Sequence, residues 1–351
     1  MYETSRIYPS DRRAMGEADA LLAAEGIRRD GNLDYTCGIY DESFRLIATG
    51  SCFKNTLRCL AVSSSHQGEG LLGTIVTHLI DVQYERGNTD IFIYTKCGTA
   101  RFFQDLGFYE AARAEGEIVL MENRRDGLQE CVGRFLRETE KARPKADGVI
   151  SAIVMNANPF TLGHRFLAEK AAAESALLHI FVVSEEASLV PFPVRRRLVA
   201  EGLSHVKNAV LHDSGPYIIS SATFPSYFQK DDDAVSRSHA LLDAAIFGRI
   251  AKALGIARRY AGDEPLSHVT NIYNEVMRKE LPKRGIECVI VPRLKTGESV
   301  ISASSARALL KAGDFDALEN LLPPETIKFF RSDEGAPVLE KIRSAKETAH
   351  Y

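Results

Sequence analysis

A histidine stands where an apolar stretch gives way to a turn and then to a helix-forming stretch. Val149–Met155 is almost entirely apolar, residues 156–163 include Asn, Pro and Gly, and His164 follows directly. A helix that begins here would place the His164 imidazole beside backbone N–H groups without partners inside the helix, and the helix dipole adds about half a positive charge. These groups are suited to bind triphosphate oxygens and to stabilise charge that develops on the α-phosphate. A buried or capping histidine beside a proline turn is the alternative.

Hydroxyl groups and an arginine form a second candidate cluster much further along the chain. Ser304 and Arg307 are spaced i and i+3, so they share one face of the first turn of a predicted helix. An arginine fork binds phosphate through two parallel hydrogen bonds, which a lysine cannot do. Ser304 and Arg307 are therefore candidates to bind phosphate oxygens.

Two further residues are candidates for ligand contacts because of their positions beside predicted elements. Arg195 follows Pro191-Phe192-Pro193 at the start of a predicted helix, where it would face a phosphate or an acidic partner. A solvated helix end is an equal alternative for Arg195. Asp263 follows a predicted strand, where ligand contacts are common, and it is a candidate for a contact with adenine or ribose.

A glycine-rich loop lies in the first third of the chain. Residues 68–73 formally match the dinucleotide fingerprint GxGxxG, but residues 63–67 separate this loop from the preceding predicted strand. The next strand, which ends at Lys96, offers no acidic residue for a ribose hydroxyl. The pattern therefore disfavours a nicotinamide or flavin site. The loop would still expose backbone N–H groups at the start of a helix, which suits a pyrophosphate.

The elements that must position these residues fall into two blocks. Residues 1–125 alternate short strands and helices, with a hairpin signal at Tyr35–Tyr40 and Phe44–Gly50. Residues 126–147 form a charged surface helix and linker, and residues 336–351 a weakly ordered tail. Residues 148–335 alternate strands and helices, which predicts a parallel sheet with ligands beyond the carboxyl ends of its strands. The expected strands of this second block are Val149–Met155, Leu178–Val183, Ala209–His212, Arg258–Ala261 and Glu287–Val291, and its expected helices are His164–Ala176, Val194–Ser204, Ala240–Leu254, Val269–Leu281, Ser304–Ala312 and Glu325–Phe330.

Composition excludes several classes of protein. The 351 residues include 44 Lys and Arg against 47 Asp and Glu, for a net charge of -3. This balance argues against a nucleic-acid binder and a polybasic membrane-surface protein. The six cysteines form no CxxC pair and have no histidine at zinc-like spacing, so no metal site is expected. Without an apolar leader or a span of about 20 apolar residues, we expect a cytoplasmic protein.

Residues 1–120 resemble the GNAT acyltransferase fold. The resemblance rests on the strand Leu60–Val62, the loop from Gln67 to Gly70 at the start of a helix, and the closing segment Phe102–Phe108. It implies that the loop cradles the pyrophosphate of a CoA-like arm. Leu72 stands where the family has a second glycine, and its Cβ would hinder close approach of the backbone to a ligand. The implied contacts to the arm are Gln67, Gly68, Gly70 and Gly73.

Residues 148–335 resemble the HxGH nucleotidylyltransferase superfamily, which implies a Rossmann-like fold. The sequence N-P-F-T-L-G-H ends at His164, and Thr161 stands where many members have the first histidine. Because Thr161 cannot be cationic, more of the charge stabilisation would fall on His164. The sequence I-S-A-S-S-A-R, which ends at Arg307, resembles the motif that holds the β- and γ-phosphates. The resemblance implies His164, Thr161 and Arg307 as catalytic residues, and Asn158, Pro159, Phe160, Gly163, Ser302 and Ser304 as contacts to ATP.

The two domains in this order resemble the citrate lyase ligase family over essentially the whole chain. The resemblance implies that ATP, with Mg²⁺, and acetate give acetyl-AMP and pyrophosphate. The acetyl group would then pass to the thiol of the phosphoribosyl-dephospho-CoA group on the acyl carrier subunit of citrate lyase. Three alternatives stay open: a nucleotidyltransferase that acts on a phosphate ester, a GNAT acyltransferase whose second domain senses ATP, and a non-enzymatic ATP-binding regulatory module.

Overall fold

A computed structural model of the chain describes residues 2–142, 144, 147–184, 186, 188–218, 224–226, 231–263, 268–296 and 299–345. The chain forms two compact units. The first unit contains Met1–Gln129 together with Phe224–Ala245, and the second contains Glu130–Thr223 together with Ile246–Tyr351. The sequence predicted a first domain that ends at residue 125 and a second that begins at residue 148, each formed by one continuous stretch of chain. The structure corrects this point, because a segment from the later half of the chain belongs to the first unit.

The first unit is built on a seven-stranded sheet with strand order β1-β2-β3-β4-β5-β7-β6. Neighbouring strands are antiparallel except for β4 and β5, which are parallel. The predicted hairpin is confirmed, with Cys37 opposite Gly50. The elements are β1 Thr4–Ile7, α1 Arg12–Ala24, β2 Tyr35–Tyr40, β3 Leu46–Phe53, β4 Thr56–Val62, α2 Leu71–Glu85, β5 Phe92–Lys96, α3 Ala100–Gln104, β6 Tyr109–Ala114 and β7 Ile118–Glu122.

Helix α2 packs closely on the sheet of the first unit. Its apolar residues Leu71, Ile75 and Leu79 are buried in the core. A Cβ atom at Gly50 of β3 would lie 2.5 Å from Cγ2 of Ile75, so only glycine permits this approach. Helix α2, which begins directly after the glycine-rich loop, is therefore held against the sheet.

The second unit has a five-stranded parallel sheet with strand order β10-β9-β8-β11-β12, as the alternating pattern predicted. The predicted strands and helices are confirmed within a few residues, except that α7 begins earlier, at Asp232. Helices α4 and α7 each begin in the first unit and end in the second. The elements from α4 onward are α4 Gly127–Thr139, β8 Val149–Met155, α5 Leu162–Ala173, β9 Ser175–Val182, α6 Phe192–Gly202, β10 Ala209–Asp213, α7 Asp232–Leu254, β11 Arg258–Gly262, α8 His268–Glu280, β12 Glu287–Val291, β13 Lys295–Thr296, β14 Ser299–Val300, α9 Ala303–Ala312, α10 Phe315–Leu318, α11 Pro324–Phe330 and α12 Ala336–Ser344.

The central strand β8 is the point at which the strand order of the second sheet reverses. The chain passes from β8 to β9 and β10 on one side, and later returns to β11 and β12 on the other. In open α/β sheets, ligands bind beyond the carboxyl ends of the strands at such a switch point. The loop from Asn156 to Thr161 leaves the carboxyl end of β8, so the topology puts the first candidate cluster there.

Two expectations about charged segments were wrong in part. Residues 336–344 are not a weakly ordered tail, because α12 buries Val338, Leu339 and Ile342. Residues 346–351 lie outside the described residues. The charged helix α4 is not merely solvated, since Phe135 is fully buried with its ring edge-on to Phe181 at 5.2 Å. In both segments, a few apolar residues among the charged ones lie on one face of the helix, and that face is buried.

Among the described residues, no helix is long and apolar enough to cross a membrane.

Candidate active site

The two candidate clusters of the second unit are joined by a direct hydrogen bond. The Nη1 atom of Arg307, in the first half of α9, donates to the backbone carbonyl oxygen of Asn158 at 2.7 Å. Its Nη2 atom donates to Oγ of Ser304 at 3.0 Å. A guanidinium group has five N–H donors, so Nε–H and further terminal N–H groups remain for a ligand. The structure therefore brings the loop after β8 and the start of α9 to one place.

The approach of these two segments is close enough to crowd any side chain at residue 163. A Cβ atom at Gly163 would lie 3.2 Å from the carbonyl oxygen of Ile301, which directly precedes the cap of α9. The backbone N–H of Leu162 donates to the carbonyl oxygen of Leu321 at 2.9 Å, which fixes the start of α5. Gly163 therefore acts by permitting contact between the two segments.

Thr161 and His164 form a reciprocal cap at the N-terminus of α5. The Thr161 hydroxyl oxygen accepts the backbone N–H of His164 at 3.3 Å, and Nδ1 of His164 accepts the backbone N–H of Thr161 at 3.1 Å. Because Nδ1 is an acceptor, this pattern assigns the imidazole proton to Nε2. Nε2–H is the donor that His164 can present to a ligand.

The imidazole of His164 is neutral at physiological pH. Burial lowers its pKa to about 4, and the positive charge of Arg293 acts in the same direction. A neutral His164 would offer a hydrogen bond, and Arg293 and Arg307 would supply positive charge. The role expected for His164 stays a prediction. The ring of Phe160 stacks on that of His164 with centroids 6.0 Å apart and supports its orientation.

Arg293 is a component of the site that the motifs did not reveal. It follows β12, and its guanidinium donates from Nε to the carbonyl of Asp263 at 2.8 Å and from Nη1 to the carbonyl of Ile301 at 3.2 Å. Its own pKa is lowered by burial, an effect that the charge of Asp263 opposes. The available signal was its position, because a basic residue directly after a predicted parallel strand lies at the ligand-binding edge.

Arg307 brings positive charge to the start of α9. Within the described part of the chain, no carboxylate forms an ion pair with Arg307, and burial lowers the pKa of this guanidinium. Ser302 caps α9 by accepting the backbone N–H of Ser305 at 2.9 Å. The first N–H groups of α9 and the partly buried Arg307 together make a place suited to an anion.

Several predicted contact residues support the site from inside the fold. Arg195 is 0% exposed, and its guanidinium donates to the carbonyl oxygens of Asn156, Val183 and Val190. The expectation that Arg195 faces phosphate is wrong, because these bonds tie together the loops after β8 and β9. Phe160 is fully buried.

The remaining predicted residues of this unit occupy mixed positions. Pro159 is buried. The side chain of Asn158 is also buried; its Oδ1 accepts the N–H of Val190 at 3.0 Å, while Nδ2 has no hydrogen-bond partner among the described residues. Asp263 offers its carbonyl oxygen to Arg293, and residues 264–267 lie outside the described residues. Ser304 is exposed at the start of α9.

The glycine-rich loop of the first unit leads directly into α2. Gly68 and Gly70 have positive φ angles of 88° and 77°, which suits glycine, and α2 begins without a side-chain cap. Gly73 lies against Leu106, and Leu72 packs partly against the apolar core. Gln67 is exposed. The anion site expected at these residues stays a prediction.

Within the described residues, no three His, Cys, Asp or Glu side chains are grouped so as to hold a metal ion.

Comparison with known proteins decides the family. A family model described as the citrate lyase ligase C-terminal domain matches residues 150–330. The chain belongs to the citrate lyase ligase family. It is 39% identical over 290 residues to the citrate (pro-3S)-lyase ligase of Klebsiella pneumoniae, which covers 81% of this chain and 83% of that protein. It is 36% identical over 334 residues to the Escherichia coli K12 protein of the same name, with 93% of each covered.

Citrate lyase ligases are enzymes of the ligase class, and this chain is one of them. Several solved structures are similar to part of the chain. They include Escherichia coli ElaA, at a TM-score of 0.32 and 15% identity over 35% of this chain and 100% of that one. A GNAT-family acetyltransferase of Staphylococcus aureus has a TM-score of 0.31 and 11% identity over 35% of this chain and 98% of that one.

Proposed function

We propose that this protein joins acetate to a thiol at the expense of ATP. The acceptor is the phosphoribosyl-dephospho-CoA group on the acyl carrier subunit of citrate lyase, and acetyl-AMP is the intermediate. The observation that carries the proposal is the 2.7 Å hydrogen bond from Arg307 to the carbonyl of Asn158, because it joins two phosphate-type motifs into one cradle. The relatives, which are named as ligases of citrate lyase, support the choice of acceptor.

In the first step, an acetate oxygen attacks the α-phosphorus of ATP and pyrophosphate leaves. The Nε2–H of His164 donates to an α-phosphate oxygen, and the start of α5 adds backbone N–H groups. This donor costs little reorganisation, because the bond between Nδ1 and the N–H of Thr161 fixes the ring. Arg307 and the start of α9 bind the β- and γ-phosphates and favour departure of pyrophosphate.

In the second step, the thiolate of the prosthetic group attacks the acyl carbonyl of acetyl-AMP. A C–S bond forms, the bond from carbonyl carbon to the AMP oxygen breaks, and the thiol proton goes to solvent. In the first step, Mg²⁺ bound with ATP would supply neutralising charge on the triphosphate. The protein contributes position and charge stabilisation in both steps.

The test is pyrophosphate release from ATP, measured with and without acetate and with and without the carrier that bears the thiol. We expect acetate-dependent release, and a faster steady state when the thiol is present. AMP transfer without acetate would favour a nucleotidyltransferase that acts on a phosphate ester. Acetyl-CoA turnover without ATP would favour an acyltransferase, and binding of ATP without cleavage would favour a regulatory module.

A further inference from the structure

A groove lies between helix α4 and the edge strand of the second unit's sheet. Strand β10 is bonded to β9 on one side and is the last strand of the described sheet on the other. The half-buried Val210 and Leu211 line the groove from the strand, and its volume is about 380 Å³. One face of α4 lines it from the helix with charged side chains spaced i, i+3, i+4 and i+7, namely Arg134, Arg137, Glu138 and Lys141. All of these residues belong to the second unit.

Helix α4 is held beside β10 by contacts on its buried side. The ring of Phe135 packs edge-on against that of His212, with centroids 5.1 Å apart. Nη2 of Arg134 donates to the carbonyl oxygen of Asp213 at 2.8 Å, at the carboxyl end of β10. Nδ1 of His212 donates to the carboxylate of Glu138. Because these contacts join the helix to the strand at several points, the groove has a fixed wall.

The groove carries a surplus of positive charge. Glu138 is the one carboxylate among the described residues that line it, and this group already accepts from His212 and from Nη1 of Arg134 at 3.1 Å. Arg137 and Lys141 are exposed, and within the described part of the chain neither forms an ion pair. The whole chain has a net charge of -3, so the groove is opposite in sign to the chain. Two unpaired cations beside apolar side chains suit an acidic segment of a protein partner.

The groove reaches the same edge of the sheet as the candidate active site. Strands β8, β9 and β10 are parallel, so their carboxyl ends lie along one edge. Asp213, the residue that Arg134 binds, ends β10, and the loop that contains Asn158 leaves the end of β8. Two spacings between neighbouring strands separate β10 from β8 by about 10 Å. A partner bound in the groove could therefore extend a prosthetic arm along this edge to the candidate active site.

We propose that the groove between α4 and β10 is the docking surface for the acyl carrier subunit, which presents an acidic segment to Arg137 and Lys141. The identity of this partner rests on the proposed function. Carboxylates of the carrier pair with the two cations, and an apolar side chain of the carrier covers Val210 and Leu211. Complementary charge of this kind speeds association and orients the partner. The thiol arm then arrives at the edge of the sheet where acetyl-AMP forms.

The test measures binding of the carrier subunit to the full-length protein by calorimetry, in the absence of ATP. Arg137→Glu combined with Lys141→Glu reverses both unpaired charges, and we expect the Kd for the carrier to rise at least about tenfold at low ionic strength. The matched control is Lys252→Glu combined with Lys328→Glu. It reverses two exposed lysines of the same unit that do not line the groove, and it should leave the Kd unchanged. Because salt screens exposed charges, the unaltered protein should also bind the carrier more weakly as ionic strength rises.

The proposal is overturned if the groove variant, with folding verified by circular dichroism, binds the carrier as the unaltered protein does. An equal loss in the control variant, or carrier binding that is absent or independent of salt, overturns it too. A dimer that dissociates in the groove variant while carrier binding is retained would assign the groove to a second copy of the chain instead. Acetate-dependent pyrophosphate release without carrier is a separate readout that depends on His164 and Arg307, and the groove variant should retain it. Its absence from the unaltered protein would contradict the proposed function, whereas carrier binding decides on the groove.

Discussion

The Nδ1 atom of His164 accepts the backbone N–H of Thr161 at 3.1 Å, so the ring is held as a neutral imidazole with its proton on Nε2. A phosphate oxygen that reaches this nitrogen meets a fixed donor. Burial lowers the pKa of His164, the nearby charge of Arg293 acts in the same direction, and Arg293 adds the positive charge that the neutral imidazole lacks. His164 thus supplies the hydrogen-bond donor, and Arg293 supplies the positive charge.

Replacement of His164 by alanine should remove the donor to the α-phosphate. We expect adenylate formation to fall by about 10²–10³, the scale for loss of one preorganised donor to a developing charge. Acetate-dependent exchange of pyrophosphate into ATP measures this step. The control is His205→Ala, which removes an exposed histidine that pairs with Glu169. Exchange at the unaltered rate in the His164 variant would remove this residue from the mechanism.

Replacement of Arg307 by lysine should weaken the cradle while retaining a positive charge. A lysine cannot bridge the Asn158 carbonyl, the Ser304 hydroxyl and a phosphate at once. We expect the apparent affinity for ATP to fall about 10- to 100-fold, the scale for loss of a charged hydrogen bond. Arg331→Lys alters an arginine of an exposed pair with Glu319 and is the matched control. Equal ATP dependence in both variants would contradict the assignment.

Replacement of Gly163 by alanine should force α5 and the segment before α9 apart. The new Cβ would meet a backbone carbonyl at 3.2 Å, which cannot rotate away as a side chain can. We expect the free energy of unfolding to fall by about 1–3 kcal/mol and ATP-dependent activity to fall with it. Gly133→Ala in α4 meets only Nη1 of Arg137 at 3.5 Å and should not destabilise the protein. Denaturant titrations compare the stability of the two variants. Equal midpoints of unfolding would contradict the predicted loss of stability.

Replacement of Arg195 by alanine separates its structural role from a role in binding. Three carbonyl groups would lose a buried charged donor, so we expect a loss of stability of several kcal/mol. The KM for ATP should be nearly unchanged in the fraction of the protein that remains folded. Arg196→Ala, which breaks an exposed pair with Asp213, should change stability little. A stable Arg195 variant with a large rise in KM for ATP would restore the phosphate contact that the structure contradicts.

Two buried histidines, His179 and His212, and the half-buried His164 should make the protein sensitive to mild acid. Burial lowers the pKa of His179 to about 3 and that of His164 to about 4. It also lowers the pKa of His212, although its bond to Glu138 opposes this effect. Unfolded histidine titrates near about 6.5, so below that pH the unfolded chain binds protons that the folded chain does not. Stability should be complete above about pH 6.5 and fall toward pH 4.

Urea unfolding between pH 7.5 and 4.5 tests whether stability falls as the pH is lowered. His179→Gln should flatten the dependence, since His179 is fully buried and its Nε2 has no hydrogen-bond partner among the described residues. His205→Gln, at an exposed position, should retain the dependence of the unaltered protein. Stability that rises toward pH 5 would contradict the account.

The sequence predicted the parts of the site that lie within a single motif. The spacing of Ser304 and Arg307 predicted one shared helix face, and the structure has the i to i+3 bond. The His164 side chain caps α5, which was the alternative to a ligand-binding histidine, and its binding role stays a prediction. Arg195 and Arg293 could not be assigned in this way. The loops that fold over an arginine decide whether it faces a ligand or carbonyl oxygens. These loops are distant from the arginine in sequence.

The division of the chain could not be read from composition. Phe224–Ala245 follows strands of the second sheet and is followed by more of them, yet it packs in the first unit. Its anchors are single residues such as Ser226, which bonds to Asp30 across 196 positions of sequence. Periodicity predicts that a helix lies here, but it does not indicate which sheet the helix covers.

A crystal structure with a non-hydrolysable ATP analogue tests the central claim most directly. One triphosphate should lie between the two segments, with an α-phosphate oxygen about 3 Å from Nε2 of His164. The β- or γ-phosphate should accept hydrogen bonds from the guanidinium of Arg307. An analogue that contacts Arg307 while His164 faces a different cavity, or that binds away from both, would contradict the account.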